Sequence, residues 1–192
     1  MKVLLMNGSR RENGCTYTAL NEVASALAEN GIESEQLFIG KAVMEGRVNE
    51  IVQEAAAKMK ECDGLVVGSP VYYASATGEV QMVLDRLFGV ARADLSHKPA
   101  AAVVSARRGG TAAAMDNLNK YFMISEMPVV SSCYWNMVFG NTPEEVMQDA
   151  EGLRTMRLIG HNMAWLLKCI EAGKAAGVER KTEPAAKTNF IR

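Results

Sequence analysis

Near the start of the chain, Gly8-Ser9-Arg10-Arg11-Glu12-Asn13-Gly14-Cys15-Thr16 carries the residue types and spacing needed to hold a phosphate. The stretch follows an apolar run, Lys2 to Asn7, and leads into an alanine- and leucine-bearing segment, so it reads as a turn from strand to helix. At such a turn the free N–H groups and the positive end of the helix dipole attract an anion. Ser9 and Thr16 would add hydroxyl donors, Arg11 a charge-assisted contact and Cys15 mainly its backbone N–H, while the glycines let the backbone approach. The same residues also suit an ordinary βα turn in which Thr16 caps the helix and the arginines are solvated. Rival phosphate chemistries lack their parts. Cys15 stands where a P-loop has its lysine, no G-x-G-x-x-G follows a strand, and Thr16 to Val23 offers no arginine to activate Cys15 as a nucleophile.

Two later loops suit a flat, amphipathic ring. In Ser69-Pro70-Val71-Tyr72-Tyr73-Ala74-Ser75-Ala76-Thr77-Gly78, Pro70 stiffens the backbone, Val71 offers amides, and Tyr72 and Tyr73 supply aromatic faces. The tyrosines could equally pack under the next helix or in a subunit interface. In Ser105-Ala106-Arg107-Arg108-Gly109-Gly110-Thr111, Gly109 and Gly110 permit close approach, Ser105 offers a hydroxyl, and Arg107 could face a ring edge that gains negative charge.

Other chemistry-bearing residues are less promising. His97 reads as a turn residue, His161 falls in a long helix, and neither has a second histidine at i+4, so no metal site is expected. Cys15, Cys62, Cys133 and Cys169 are scattered without a C-x-x-C pair and read as reduced thiols. The methionines read as core filler and Trp165 as helix core, whereas Trp135, in Cys133-Tyr134-Trp135-Asn136, could approach the ligand edge.

The elements that must position these loops alternate as strands and helices, the pattern of a parallel α/β sheet. Strands are expected at Lys2–Asn7, Glu33–Ile39, Gly64–Gly68, Pro99–Ser105 and Pro128–Ser132, giving a five-stranded parallel sheet. Helices are expected at about 16–30, 48–61, 79–87 and 111–124, with a long amphipathic one over much of 143–171, opened by Thr142 as cap and Pro143. Residues 1–176 form one domain, and 177–192 are a charged tail without apolar periodicity that could dock on a neighbouring subunit through Phe190 and Ile191. A net charge of −1 with 48% hydrophobic residues speaks against a nucleic-acid partner and against disorder. The short apolar run in MKVLLMNGSRR is too brief for a signal peptide or a membrane span, so a cytoplasmic location and no membrane partner are expected.

Taken together the three loops resemble those of the NADPH-dependent FMN reductase branch of the flavodoxin-like superfamily. Its GS-x-R-x-x-G-N-T loop is matched by Gly8, Ser9, Arg11, Gly14 and Thr16, with Cys15 in place of asparagine, and its SP-x-Y loop by Ser69, Pro70 and Tyr72. Leu84-Asp85-Arg86, SARRGGT and the closing TNFIR extend the likeness over nearly the whole chain. The resemblance implies a flavodoxin-like three-layer sandwich with strand order 2-1-3-4-5, bound FMN, and NADPH or NADH as co-substrate. It further implies a small-molecule electron acceptor such as a quinone or free flavin, with no catalytic acid or base. A flavodoxin-type electron carrier is the alternative. Some relatives, the iron-sulfur flavoproteins, carry a compact cysteine cluster after the second strand. The corresponding stretch here, Gly40 to Arg47, holds no cysteine, so no iron-sulfur cluster is expected. Relatives also assemble as homodimers or homotetramers, with Tyr134, Trp135 and Phe190 the expected contacts.

Overall fold

In the computed structural model the first strand, β1 (Lys2–Asn7), has Val3, Leu4, Leu5 and Met6 wholly buried, so both faces of the sheet are covered. The structure describes residues 1–184, 186 and 188, and the contacts expected of Phe190 and Ile191 lie outside the described residues. After β1 come α1 (Cys15–Glu29), β2 (Glu33–Phe38), α2 (Ile39–Met44), α3 (Val48–Glu61), β3 (Gly64–Tyr72) and β4 (Ser75–Ala76). The chain continues through α4 (Gly78–Val90), α5 (Arg92–Leu95), β5 (Ala100–Ala106), α6 (Thr111–Ile124), β6 (Met137–Phe139), α7 (Pro143–Val146) and α8 (Ala150–Ala175).

The parallel strands lie in the order β2-β1-β3-β5-β6, and the two-residue β4 pairs only with β3, as an antiparallel hairpin. Without that hairpin the order is the expected 2-1-3-4-5. Side-chain alternation along each strand sorts the core into two layers. Leu4, Met6, Val67, Ala102 and Val104 pack beneath α3, α4 and α6, while Val3, Leu5, Val66, Ala101 and Val103 pack beneath α1 and α8. Strand order turns back between β1 and β3, which opens a crevice at their carboxyl ends.

Three expectations need correction. Residues 128–132 do not form the fifth strand: Ala100 N–H bonds Pro128 O (2.9 Å) and Val130 N–H bonds Ala100 O (2.7 Å), but the chain then leaves the sheet and pairs again only as β6, beside Val104 to Ala106. The expected helix over 143–171 is broken after Val146, because Asp149 caps a new helix by accepting from Gly152 N (2.9 Å) and also accepts from Phe139 N (2.7 Å). Trp165 is 68% exposed, so it is not helix core. Among the described residues no helix is long and apolar enough to cross a membrane.

Candidate functional site

The carboxyl ends of β1, β3 and β5 are neighbours in the sheet, so the loops that follow them share one edge. The first is preformed by its own polar groups. Asn7, wholly buried at the end of β1, accepts from Ser9 N–H (3.0 Å) and donates to Glu12 O (3.1 Å). Ser9 Oγ accepts from Arg11 N–H (3.1 Å), and Gly8 N–H bonds Gly68 O (2.8 Å), tying the loop to β3.

This loop ends in a helix that lacks its usual partners. At α1 Gly14 holds the cap position, no side chain bonds the free N–H groups, and the first turn has no acidic residue. The same is true of α6, capped by Gly110. The other helices of comparable length are supplied: α4 has Thr77 and Glu79, α8 has Asp149 and Glu151, and α3 has Glu50 in its first turn. Of the three long helices that follow the loops at this edge, α1 and α6 are therefore left open to an anion, while the start of α4 is closed by its own Thr77 and Glu79.

Thr16 is not the helix cap. It is 1% exposed, and its hydroxyl shares a hydrogen bond with Ser105 Oγ (2.9 Å), joining the first loop to the third. Cys15 opens α1 with its Sγ 3.6 Å from Gly140 O, and burial pushes the thiol above its ordinary range despite the nearby Arg11 charge. A protonated thiol there fits a loop residue and not a nucleophile.

In the second loop Ser69 Oγ accepts from Thr77 N–H (3.1 Å), and the β3–β4 hairpin turns on Tyr73 (φ 51°) and Ala74 (φ 56°). Two non-glycine residues in the left-handed region store roughly 1–3 kcal/mol each, strain that concentrates at functional sites. Tyr73 is wholly exposed and Tyr72 is 45% exposed. The third loop lies against this hairpin: Gly110 has φ +91°, and a Cβ there would stand 2.8 Å from Ala74 Cα. Pro70 pairs with Ser105 in the strand register, which brings Pro70, Val71, Ser105 and Gly110 together. Arg11, Arg107 and Gly109 are exposed around them, and among the described residues neither Arg11, Arg107 nor Arg108 has a salt-bridge partner.

Three residues here escaped the sequence reading. Arg10 is ion-paired to the buried Glu79 of α4 (2.5 Å) and lies 5.8 Å from the Tyr72 ring centroid. Gly40 of α2 presses on the first loop, where a Cβ would stand 2.5 Å from both Gly8 O and Ser9 O. Gly-Lys-Ala-Val-Met had shown no element of its own, and no signal linked Arg10 to a residue 69 positions away. A separate cavity of about 1040 Å³ lies at the opposite edge, where Met1, Asp63 and Pro99 precede their strands, away from the three loops.

A doubly wound parallel sheet with an anion-ready helix start at its switch point defines a flavodoxin-like protein. The model of the NADPH-dependent FMN reductase family matches residues 1–142, and the chain belongs to that family. An iron-sulfur flavoprotein of Methanocaldococcus jannaschii is 31% identical, over 89% of this chain and 100% of its own length. Among solved structures, a WrbA-like flavodoxin from Agrobacterium tumefaciens has a TM-score of 0.68 at 14% identity, covering 88% of this chain and 97% of that one. An archaeal flavodoxin has a TM-score of 0.66 at 14% identity, covering 88% and 99%. The family membership makes the chain an FMN-binding oxidoreductase.

Proposed function

We propose that the chain binds FMN by its phosphate in the Gly8–Thr16 loop and uses it to carry electrons from NADPH or NADH to a small acceptor such as a quinone or free flavin. The observation that carries this reading is the open start of α1, a helix with neither a side-chain cap nor a first-turn acid, at the crevice where the strand order reverses. A phosphate there receives backbone N–H groups from Cys15 and Thr16, the Ser9 hydroxyl and the charge of Arg11. Pro70, Val71, Tyr72 and Tyr73 on one side, and Ser105, Arg107, Gly109 and Gly110 on the other, frame the ring. Bound FMN would supply the redox chemistry, and no side chain is needed as acid, base or nucleophile. The cations Arg11, Arg107 and Arg108 favour anionic ligands and the charge that gathers on reduction.

The reading proposed here has no iron-sulfur cluster, because the sequence has no compact cysteine run and the four thiols sit at separate places: the start of α1, just after α3, the excursion before β6 and late in α8. A homodimer or homotetramer is supported by the edge of the sheet: between Glu126 and Glu144 the chain carries no charge, and it exposes Tyr134, Trp135 and Phe139 there.

The test is anaerobic addition of NADPH or NADH to FMN-loaded protein, followed by absorbance at about 450 nm, the oxidised flavin band. Bleaching, with recovery when a quinone is added, supports an enzyme. No bleaching with either nucleotide refutes NAD(P)H use and leaves an electron carrier.

A further inference from the structure

Resting on the FMN-binding reading above, we propose that Arg10 and Glu79 form a strut that holds the phosphate loop and the ring-side hairpin in one arrangement. Arg10 is then a positioning residue for the ring and not a ligand of the phosphate.

Glu79 lies in the first turn of α4 and is only 7% exposed. Its Oε1 accepts from Arg10 Nε (2.7 Å) and stands 2.5 Å from Arg10 Nη2, while its Oε2 is buried without a hydrogen-bond partner. Burying a carboxylate is costly unless a close, well-aligned cation offsets it, and Arg10 is the cation the structure sets against Glu79, so Glu79 fixes where the guanidinium sits. The guanidinium is half-exposed, and its free face lies over the Tyr72 ring, 5.8 Å from the centroid. The residue after Glu79 closes the same gap from below: Val80 Cγ2 occupies space that a Cβ on Gly8 would need, at 1.9 Å.

Contacts therefore run from the crest of the first loop, through Arg10, to Glu79 and Tyr72, and the hairpin turn that follows Tyr72 carries the path to Ala74, which packs on Gly110 of the third loop. Tyr72 is the last residue of β3, and the turn after it is held in left-handed conformations that no glycine relieves. Such a hairpin relaxes unless its neighbours fix it. Arg10 is the neighbour supplied by the phosphate loop, so the placement of the ring loop depends on a residue 69 positions distant from Glu79 and on the other half of the site.

The test titrates the flavin-free protein with FMN and with lumiflavin, which has the ring but no phosphate, and follows flavin fluorescence. Arg10→Ala and Glu79→Gln are each expected to weaken both ligands by a similar factor, roughly ten-fold. Arg10→Lys recovers part of the loss, since it keeps the charge but cannot set two N–H groups on one oxygen while stacking on the ring. Lumiflavin binding unchanged while FMN binding falls would make Arg10 a phosphate ligand and overturn the strut. Both unchanged would overturn it as well. If Arg10→Ala does not fold, the near-isosteric Glu79→Gln and Arg10→Lys decide between these outcomes. Wild-type protein that binds no FMN refutes the FMN reading itself, a result separable from all of these.

Discussion

Gly40 to Ala adds one methyl group to α2, outside every motif that resembles the family's flavin loops. That methyl would stand 2.5 Å from Gly8 O and Ser9 O and 2.6 Å from Ser9 C, whereas ordinary van der Waals contact begins at 3.4 Å. Either α2 tilts away or the crest of the phosphate loop withdraws by about 1 Å, an overpacking strain of about 1–3 kcal/mol. For a chain of this length that corresponds to a melting temperature lower by about 2–12 °C. The effect on ligand is sharper, because a backbone N–H about 1 Å out of place no longer reaches a phosphate oxygen. Each charge-assisted hydrogen bond lost removes about 1.5–3 kcal/mol, so FMN binding should weaken at least about ten-fold. Fluorescence titration of the folded, flavin-free variant measures this, and lumiflavin, which the crest reaches only through Arg10, should weaken by a smaller factor than FMN. A Gly40→Ala protein that binds FMN as the wild type does would refute the contact between α2 and the phosphate loop.

Other outcomes follow from single contacts. Thr16→Val leaves the Ser105 hydroxyl buried without its partner, a loss of about 1–3 kcal/mol; both the melting temperature and FMN affinity should fall, and unchanged values in calorimetry and titration would contradict the link between the first and third loops. Asp149→Ala removes the cap of α8 and the acceptor of Phe139 N–H; chemical denaturation should show a loss of about 1–2 kcal/mol or more, and none would refute the break at 147–149. Hydrogen bonds from Lys2 and Lys58 hold the Glu35 carboxyl below its usual 4.5. A lowered carboxylate stabilises the fold above its unfolded value and loses that effect as pH falls through its folded value. Melting of wild type against Glu35→Gln should therefore differ at neutral pH and converge as the pH is lowered below 4.5, and a constant difference would refute the ion-pair origin.

Periodicity made the long elements legible. The expected bounds of α3 and α6 are those observed, each lying between two stretches of different pattern, with buried apolar residues recurring along one side. The fifth strand was misplaced because Pro128-Val129-Val130 does begin to pair with Ala100, and nothing local tells a strand that continues from one that departs. The departing segment is tied across to α6 by Asn136 N–H against Met115 Sδ (3.4 Å), and within itself by the Ser132 hydroxyl on Asn136 Oδ1 (2.8 Å). In the candidate site, residue type singled out Ser9, Thr16 and Ser105, but the hydrogen bonds they make were not legible from it. Thr16 offered a hydroxyl for the phosphate or, alternatively, a cap, and the structure places that hydroxyl in a buried link to Ser105. Arg10, Glu79 and Gly40 were not readable at all, since an ion pair across 69 residues and a missing Cβ leave no mark in a local pattern.

Comparing FMN with riboflavin on the flavin-free wild-type protein tests the phosphate cradle most directly, because the two ligands differ only in that group. Two charge-assisted contacts at the start of α1, at about 1.5 kcal/mol each or more, should make FMN tighter by at least about 100-fold. Affinities within about three-fold of one another, a difference below 1 kcal/mol, would mean that no phosphate site exists between residues 8 and 16.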